Sequence, residues 1–447
     1  MLNYIWLGLI VLAVVIGGCN GRIGDVADAS FERARYAVMD TALPMVGIMA
    51  LWLGIMRLAE RAGLVALMAR ALRPLMVWLF PDVPPNHPAM GSMLLNMAAS
   101  ILGLNNAATP LGLRAMKDLQ TLNPRPDTAT NAMCTYLAIN TSSIQLIPAT
   151  AIAVLAANHS NNPTAIVGTS IMATTCAAVS AVAAAKTLQR LPYFRLPPAP
   201  VAAPEPPAAP ASAREEKSPV TEAATLQPLP WWGTPAMAAF CIFFGYLFLR
   251  AAFPSMLGLP IPVEAAGQTV FVRVVDAISK LSIPFMLSAF PLYAILRRVK
   301  VYEEFVEGAK EGFDVAIRII PYLVAILVAI GMFRAAGGID IVSNALKPIM
   351  TAVKFPPELL PMVLMRPLTG SGTLGMFTEL VKQCGPDSLI SRMGGTIYGS
   401  TETTFYVLAV YFGSVGVTKA RYSVLAGLTA DFVGVVASVF ICRLVFG

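Results

Sequence analysis

The stretch "YGSTETTFYV", residues 398–407, decides how the chain is read. It sets a carboxylate, Glu402, among Ser and Thr hydroxyls and two tyrosines, just after a glycine and inside a long apolar region. Asp and Glu deep in a bilayer are costly and are seldom incidental. The residues around it are those of a membrane protein: 56% of the 447 residues are hydrophobic and 13% are charged. Soluble domains carry roughly 25% charged residues. Mean hydropathy is +0.68. The formal net charge of +7 is scattered between apolar segments. That is the pattern of membrane topology and not of a nucleic-acid surface, so no nucleic-acid partner is expected.

A spanning helix needs about 20 apolar residues. Residues 2–18, 40–59, 129–157, 164–186, 233–251, 315–334, 388–412 and 421–445 qualify. Residues 281–296 are a weaker candidate, interrupted by Pro284 and Pro291. Residues 88–121 and 356–383 are broken by Gly, Pro and Asn and read as re-entrant helical hairpins, because irregular backbone at membrane depth must be buried or line a cavity. Segments 22–38 and 301–314 are charged and helix-compatible, and read as helices lying in the headgroup plane. A Pro/Ala-rich, low-complexity linker divides the chain. The expected organisation is a first domain over 1–190, a linker over 191–230, a connecting helix and loop over 231–280, and a second domain over 281–447.

The two halves repeat. "GIMR" (54–57) matches "GMFR" (331–334), and "LRPLM" (72–76) matches "LKPIM" (346–350). "LNNAATPLG" (104–112) matches "PLTGSGTLG" (367–375), and "NTSS" (140–143) matches "STET" (400–403). Four matches in order, at slowly shrinking offsets, mark an internal repeat. The first half makes four crossings and helix 233–251 a fifth, so the second half starts on the opposite face. The expected fold is therefore an all-α, polytopic membrane protein of two repeats of inverted topology, each with a re-entrant hairpin and a broken transmembrane helix.

Broken helices at matching positions of two repeats point to a transport site. The first half supplies neutral groups: Asn105, Asn106, Thr109, Asn140, Thr141, Ser142, Ser143 and Gln145. The second supplies Arg366, Thr369, Ser371, Thr373, Ser400, Thr401, Glu402 and Thr403. These sixteen residues are the candidate binding site. Arg366 is expected to hold a polar or anionic group, and Glu402 to bind a coupling cation, H⁺ or Na⁺, or hydrogen-bond donors. The bland alternative is a salt bridge between the two, each relieving the other's desolvation. Asp431 reads as a helix–helix hydrogen-bond partner. Glu379 is placed at the hairpin's mouth, exposed.

Other classes have no support in the residues. The six cysteines form no CxxC, and with two histidines there is no metal-ligand spacing, so no metal and no cofactor are expected. There is no GxxxxGK[ST] for a primary pump. No nucleophile–base pair is visible, so an enzyme is not expected. "VIGGCN" (15–20) looks like a lipoprotein cleavage site, but no Lys or Arg precedes the apolar run, and 2–18 reads as a retained helix.

Longer motifs carry a resemblance. "FPDVPPNHPAMG", "LGLNNAATPLGLRAMKDLQ", "LAINTSSIQLIP" and "NPTAIVGTSIMATT" in residues 1–190 resemble the spore maturation protein A family. "VYEEFVEGAKEGFDVAIRIIPYLVAILVAIGMFRAAGGID", "LLPMVLMRPLTGSGTLGMFTEL" and "GSTETTFYVLAVYFGSVGV", from about 281 to 447, resemble the spore maturation protein B family. The chain looks like a fusion of the two. Both belong to the nucleoside-recognition, or gate, domain group, which is similar to parts of concentrative nucleoside transporters and of the ferrous iron transporter B membrane domain. The resemblance implies two gate domains with re-entrant hairpins, and Thr401 and Glu402 match a "TE" motif that binds substrate in the nucleoside transporters. It also implies a bacterial inner (plasma) membrane protein. The positive-inside rule then puts the N-terminus and linker in the cytoplasm.

The function expected is a secondary transporter or channel-like protein for a small polar or anionic solute, nucleoside-like or related to the envelope or spore. The alternative is a non-transporting assembly or maturation factor for spore cortex or cell envelope. The expected partners are the solute, a coupling cation, the lipid bilayer and further copies of the chain in a homo-oligomer.

Overall fold

A computed structural model describes residues 2–103, 105–195, 229–260, 268–338, 341 and 355–447. Most of the linker and the repeat motif at 346–350 lie outside the described residues. Among the described residues the chain is helical, without strands. The first half runs α1 (Leu2–Cys19), α2 (Ile23–Tyr36), α3 (Leu43–Arg61), α4 (Leu64–Leu79), α5 (Pro88–Leu102), α6 (Asn105–Gln120), α7 (Asn131–Thr141), α8 (Ala149–Ala157) and α9 (Ile166–Leu188). Then come α10 (Gly233–Ala252), α11 (Val270–Leu296), α12 (Val301–Ala335), α13 (Leu360–Met365), α14 (Gly370–Cys384), α15 (Leu389–Ser400), α16 (Thr404–Gly413) and α17 (Ser423–Phe446). By length and apolar composition, Ile23–Arg61, α9, α10 and α17 can each cross a membrane.

Both hairpins and both broken helices form. Gly103, at φ +79°, ends α5 in the left-handed conformation that favours glycine and turns the chain into α6. Thr369 caps α14 by accepting the Gly372 N–H at 3.2 Å. The α7–α8 break carries Ser143 at φ +40° and Pro148. The α15–α16 break is the extended trio Thr401–Thr403.

Three expectations are corrected. Residues 22–38 are not a separate interfacial helix: α2 continues through a π-helical turn, Ala37–Ala42, into α3 as one 39-residue helix. Residues 301–314 likewise begin the 35-residue α12. At 1.5 Å per residue α12 is about 52 Å long, well beyond a hydrocarbon core of about 30 Å. The charges that suggested a headgroup location pair across the two long helices. Arg57 bonds Glu304 at 2.8 Å and Glu311 at 2.5 Å. Third, 281–296 is the second part of α11, in which the Ser288 hydroxyl bonds the Pro284 carbonyl at 2.5 Å, beside the prolines. Helix α4 was not expected as an element.

The long helices pack antiparallel. Gly54 abuts the Phe305 ring, Gly312 abuts the Ala50 backbone, and Gly331 abuts Arg33. Gly54 and Gly331 are matched positions of the repeat, and each touches the early part of the other's helix. Helices α9 and α17 are antiparallel too: Thr169 and Cys442 both reach Thr396, while Ala177 faces Gly434. Equivalent helices become antiparallel only when their two-fold axis lies in the membrane plane, so the repeats are inverted.

The loops obey the same symmetry. Lys419 donates to Asp127 at 2.7 Å and Ala129 N–H to the Lys419 carbonyl at 3.0 Å. Asp387, the match of Asp127 at the offset of the breaks, accepts from the Ser160 hydroxyl at 2.6 Å and the Asn161 N–H at 3.0 Å. Each half thus ties the loop before its broken helix to the loop after the other's. The first tie marks one end of the molecule, the second the opposite end.

Candidate functional site

The two broken helices meet at their breaks, where the Glu402 N–H donates to the Thr141 carbonyl at 2.7 Å. Two of the cavities near the crossing are lined by residues of both halves. Cavity one, about 270 Å³, is lined by Thr109, Asn140, Ser143 and Gln145 of the first half and by Glu402, Tyr406 and Tyr411 of the second. Cavity two, about 290 Å³, is lined by Trp52, Gly103, Ile147, Thr150, Ser371 and Tyr398. Cavity one lies between the first hairpin and α16. Cavity two lies between the second hairpin, α8, α3 and the tip of the first hairpin.

Glu402 is half-buried in cavity one, and among the described residues its carboxylate has no hydrogen-bond or ion-pair partner. The neighbouring polar groups are partly engaged. Asn140 donates to the Tyr136 carbonyl at 2.9 Å, which turns its amide oxygen outward from that bond. Behind the wall, the Tyr136 hydroxyl donates to Asn96 at 2.6 Å, and Asn96 donates to the Ala108 carbonyl at 2.8 Å. This buried chain fixes the first hairpin against α7. Tyr411 packs 6.3 Å from Tyr136, ring to ring, with its hydroxyl against Gly112.

Other candidate residues serve the helix ends instead. Thr141 and Ser142 donate to the Ala138 and Ile139 carbonyls, at 2.8 and 2.6 Å. Ser400 donates to the Ile397 carbonyl at 3.0 Å and Thr373 to the Thr369 carbonyl at 2.6 Å. Thr369 is a cap, and Ser371 lines cavity two. Thr401 and Thr403 are buried with no partner for either hydroxyl. Asn105 and Asn106 sit in the first turn of α6, with side chains outside the described residues.

Arg366 does not meet Glu402. Its Nη2 donates to the Tyr398 carbonyl at 2.8 Å, and its guanidinium lies 4.7 Å from the Tyr398 ring centre. A helix leaves its last carbonyls unpaired and carries partial negative charge there. Arg366 caps the end of α15 where the break begins. In the first half the corresponding task falls to Thr174, whose hydroxyl reaches the Ser142 carbonyl at 2.7 Å and the Ser143 carbonyl at 3.0 Å. Glu379 is also corrected: it is buried, bonded by Arg33 and Gln383, with Arg334 at 3.5 Å. Asp431 is a helix–helix partner as expected, accepting the Thr404 hydroxyl at 2.6 Å.

Sequence reasoning missed Tyr406, Tyr411, Asn96 and Thr174. Tyr406 stands inside the quoted stretch, four residues after Glu402, and Tyr411 one helical turn beyond the stretch's end; that spacing was the available signal. Thr174 is remote in sequence and carries none.

Comparison with known proteins agrees with this architecture. The Gate family model, described as nucleoside recognition, matches residues 42–158 and 316–418, which take in both broken helices. Spore maturation protein B of Bacillus subtilis is 46% identical over 175 residues, which is 98% of that protein and 39% of this chain. Spore maturation protein A of the same organism is 44% identical over 195 residues, 97% of that protein and 44% of this chain. The chain belongs to the family of spore maturation proteins A and B. The two relatives cover different parts of it, as a fusion of the two would. Within the family's shared gate segments lie Thr109, Asn140, Ser143, Gln145 and Glu402. No solved structure matches the chain.

Proposed function

We infer that the protein is a secondary transporter or channel-like membrane protein, with cavity one as its solute site. The observation that carries this is Glu402: a carboxylate at membrane depth, without a partner, in a cavity where two broken helices cross. An intramembrane carboxylate of this kind is a functional group by default. Arg366 is turned to the Tyr398 carbonyl, which favours a polar, donor-bearing solute over an anion. Tyr406 and Tyr411 offer ring faces, and Asn140 and Gln145 amides, as a nucleoside-like solute would use. Cavity two would be the opposite vestibule, with the Thr141–Glu402 contact as the septum. The end carrying Arg125, Lys419 and Arg421 is richer in cations and would face the cytoplasm.

The test is a thermal-shift screen of purified protein against nucleosides, dicarboxylates and cell-wall fragments. Nucleosides are expected to raise the melting temperature of the wild type and not that of Glu402→Gln. A Glu402→Gln variant that responds like the wild type overturns the site. A second reading, a non-transporting maturation factor for spore cortex or envelope, draws on the relatives' names. It predicts that no solute shifts the wild type at all.

A further inference from the structure

Beside the crossing lies a second set of polar groups that the solute cavity does not use. Asp431, on α17, is 5% exposed. One carboxylate oxygen accepts the Thr404 hydroxyl at 2.6 Å; the other, Oδ1, is buried with no partner. Thr401, 1% exposed, stands against α17 beside this carboxylate, and its hydroxyl is also buried and unpartnered. Its methyl packs where a side chain at Gly434, one turn beyond Asp431, would stand. Gly434 and Gly427 leave α17 without bulk on both sides of Asp431, so that the break lies directly against it.

A buried carboxylate oxygen with no donor is costly, and so is a buried hydroxyl with none. The charges facing Asp431 do not resolve this. Arg366, from the turn after α13, is held by the Tyr398 carbonyl and ring and forms no ion pair with Asp431. Glu402, from the break itself, adds negative charge. On either side of it along α17, Gly434 and Gly427 meet Ala177 of α9 and Thr141 of α7, which are uncharged. Among these three groups, two carboxylates and one guanidinium leave one positive charge short; Arg443 lines the same cavity as Asp431 and Arg366, three turns further along α17. The end of α15 adds partial negative charge from its carbonyls.

We propose that Asp431 and Thr401 form a binding site for a small monovalent cation, Na⁺ or a proton, next to the solute cavity. A hard cation prefers carboxylate and hydroxyl oxygens, and the orphaned pair supplies one of each. The ion neutralises Asp431 and fixes the extended trio Thr401–Thr403, which also positions Glu402. As a coupling site this rests on the transport reading; as a cation site it stands alone.

The experiment measures the melting temperature of the purified full-length protein in Na⁺ and in N-methylglucamine buffers, each at pH 6 and pH 8. The wild type is expected to be least stable in N-methylglucamine at pH 8. Rescue by NaCl assigns Na⁺; rescue only by acid assigns the proton. Asp431→Asn is expected to abolish the response. Thr401→Val should shift the midpoint by about tenfold in NaCl or acid, and Thr401→Ser should restore it. Glu402→Gln should lose the nucleoside response and keep the cation response, which separates the two sites. A wild type indifferent to both ions overturns the proposal. So does a response that survives in Asp431→Asn, or one lost in Glu402→Gln and kept in Asp431→Asn.

Discussion

Arg366 is a buried cation whose partners are a carbonyl and a ring. Removing the donor of a buried hydrogen bond costs about 1–3 kcal/mol, because the carbonyl that remains is left unsatisfied. Arg366→Ala is expected to lower stability by that order in chemical denaturation in detergent. Arg366→Lys should recover part of it, since a lysine can reach the carbonyl but cannot stack in the same way. That this arginine and Glu402 both sit deep was legible in the sequence; that they turn away from each other was not. Side-chain direction depends on the helix end that Arg366 serves, and Tyr398 gives no sign of a free carbonyl until the helix is seen to stop. Glu379 was misread for a related reason. Its partner Arg33 lies 346 residues away, and no local pattern announces the pair.

The long helices approach closely because glycines face each other's backbone. A Cβ at Gly312 would lie 2.5 Å from the Ala50 Cα and 2.6 Å from its nitrogen, neither of which can yield without shifting a helix. Gly312→Ala should lower the melting temperature, with an overpacking cost of about 1–3 kcal/mol. Gly245→Ala on α10, where a Cβ meets nothing, should leave it unchanged. The loop ties respond to pH. Burial pushes Asp387 up, but hydrogen bonds from Ser160 and Asn161 outweigh it and hold it below its ordinary value of 3.8. The Lys419 bond does the same for the exposed Asp127. Both ties are therefore fully present above the ordinary carboxylate range and weaken as pH falls below 3.8 through the lowered values. Limited acid proteolysis of loops 121–130 and 158–165 should accelerate only in that window. Helix existence was largely readable from apolar length, whereas the fate of the charged segments 22–38 and 301–314 was not. A charged helical stretch looks alike in a headgroup plane and in a crossing with opposite charges.

For the whole molecule, the repeat and its inversion followed from four short matches and a count of crossings. The structure adds the antiparallel pairing of α3 with α12 and of α9 with α17. In a cysteine-free background, Arg125→Cys and Asn162→Cys should label from opposite sides of the membrane. Labelling of both from one side would contradict the inverted arrangement. The exact cavity walls were out of reach because each is made from both halves, and the sequence does not say which halves of which helices face. One bond breaks the two-fold pattern. Glu402 N–H reaches the Thr141 carbonyl, while at the matching place Ser142 N–H stays within its own helix, bonded to Ala138 at 3.3 Å. The frame carries a latch on one side only. Its twin setting, with Ser142 latched to the Thr401 carbonyl, would use the same topology and exchange the roles of the two vestibules.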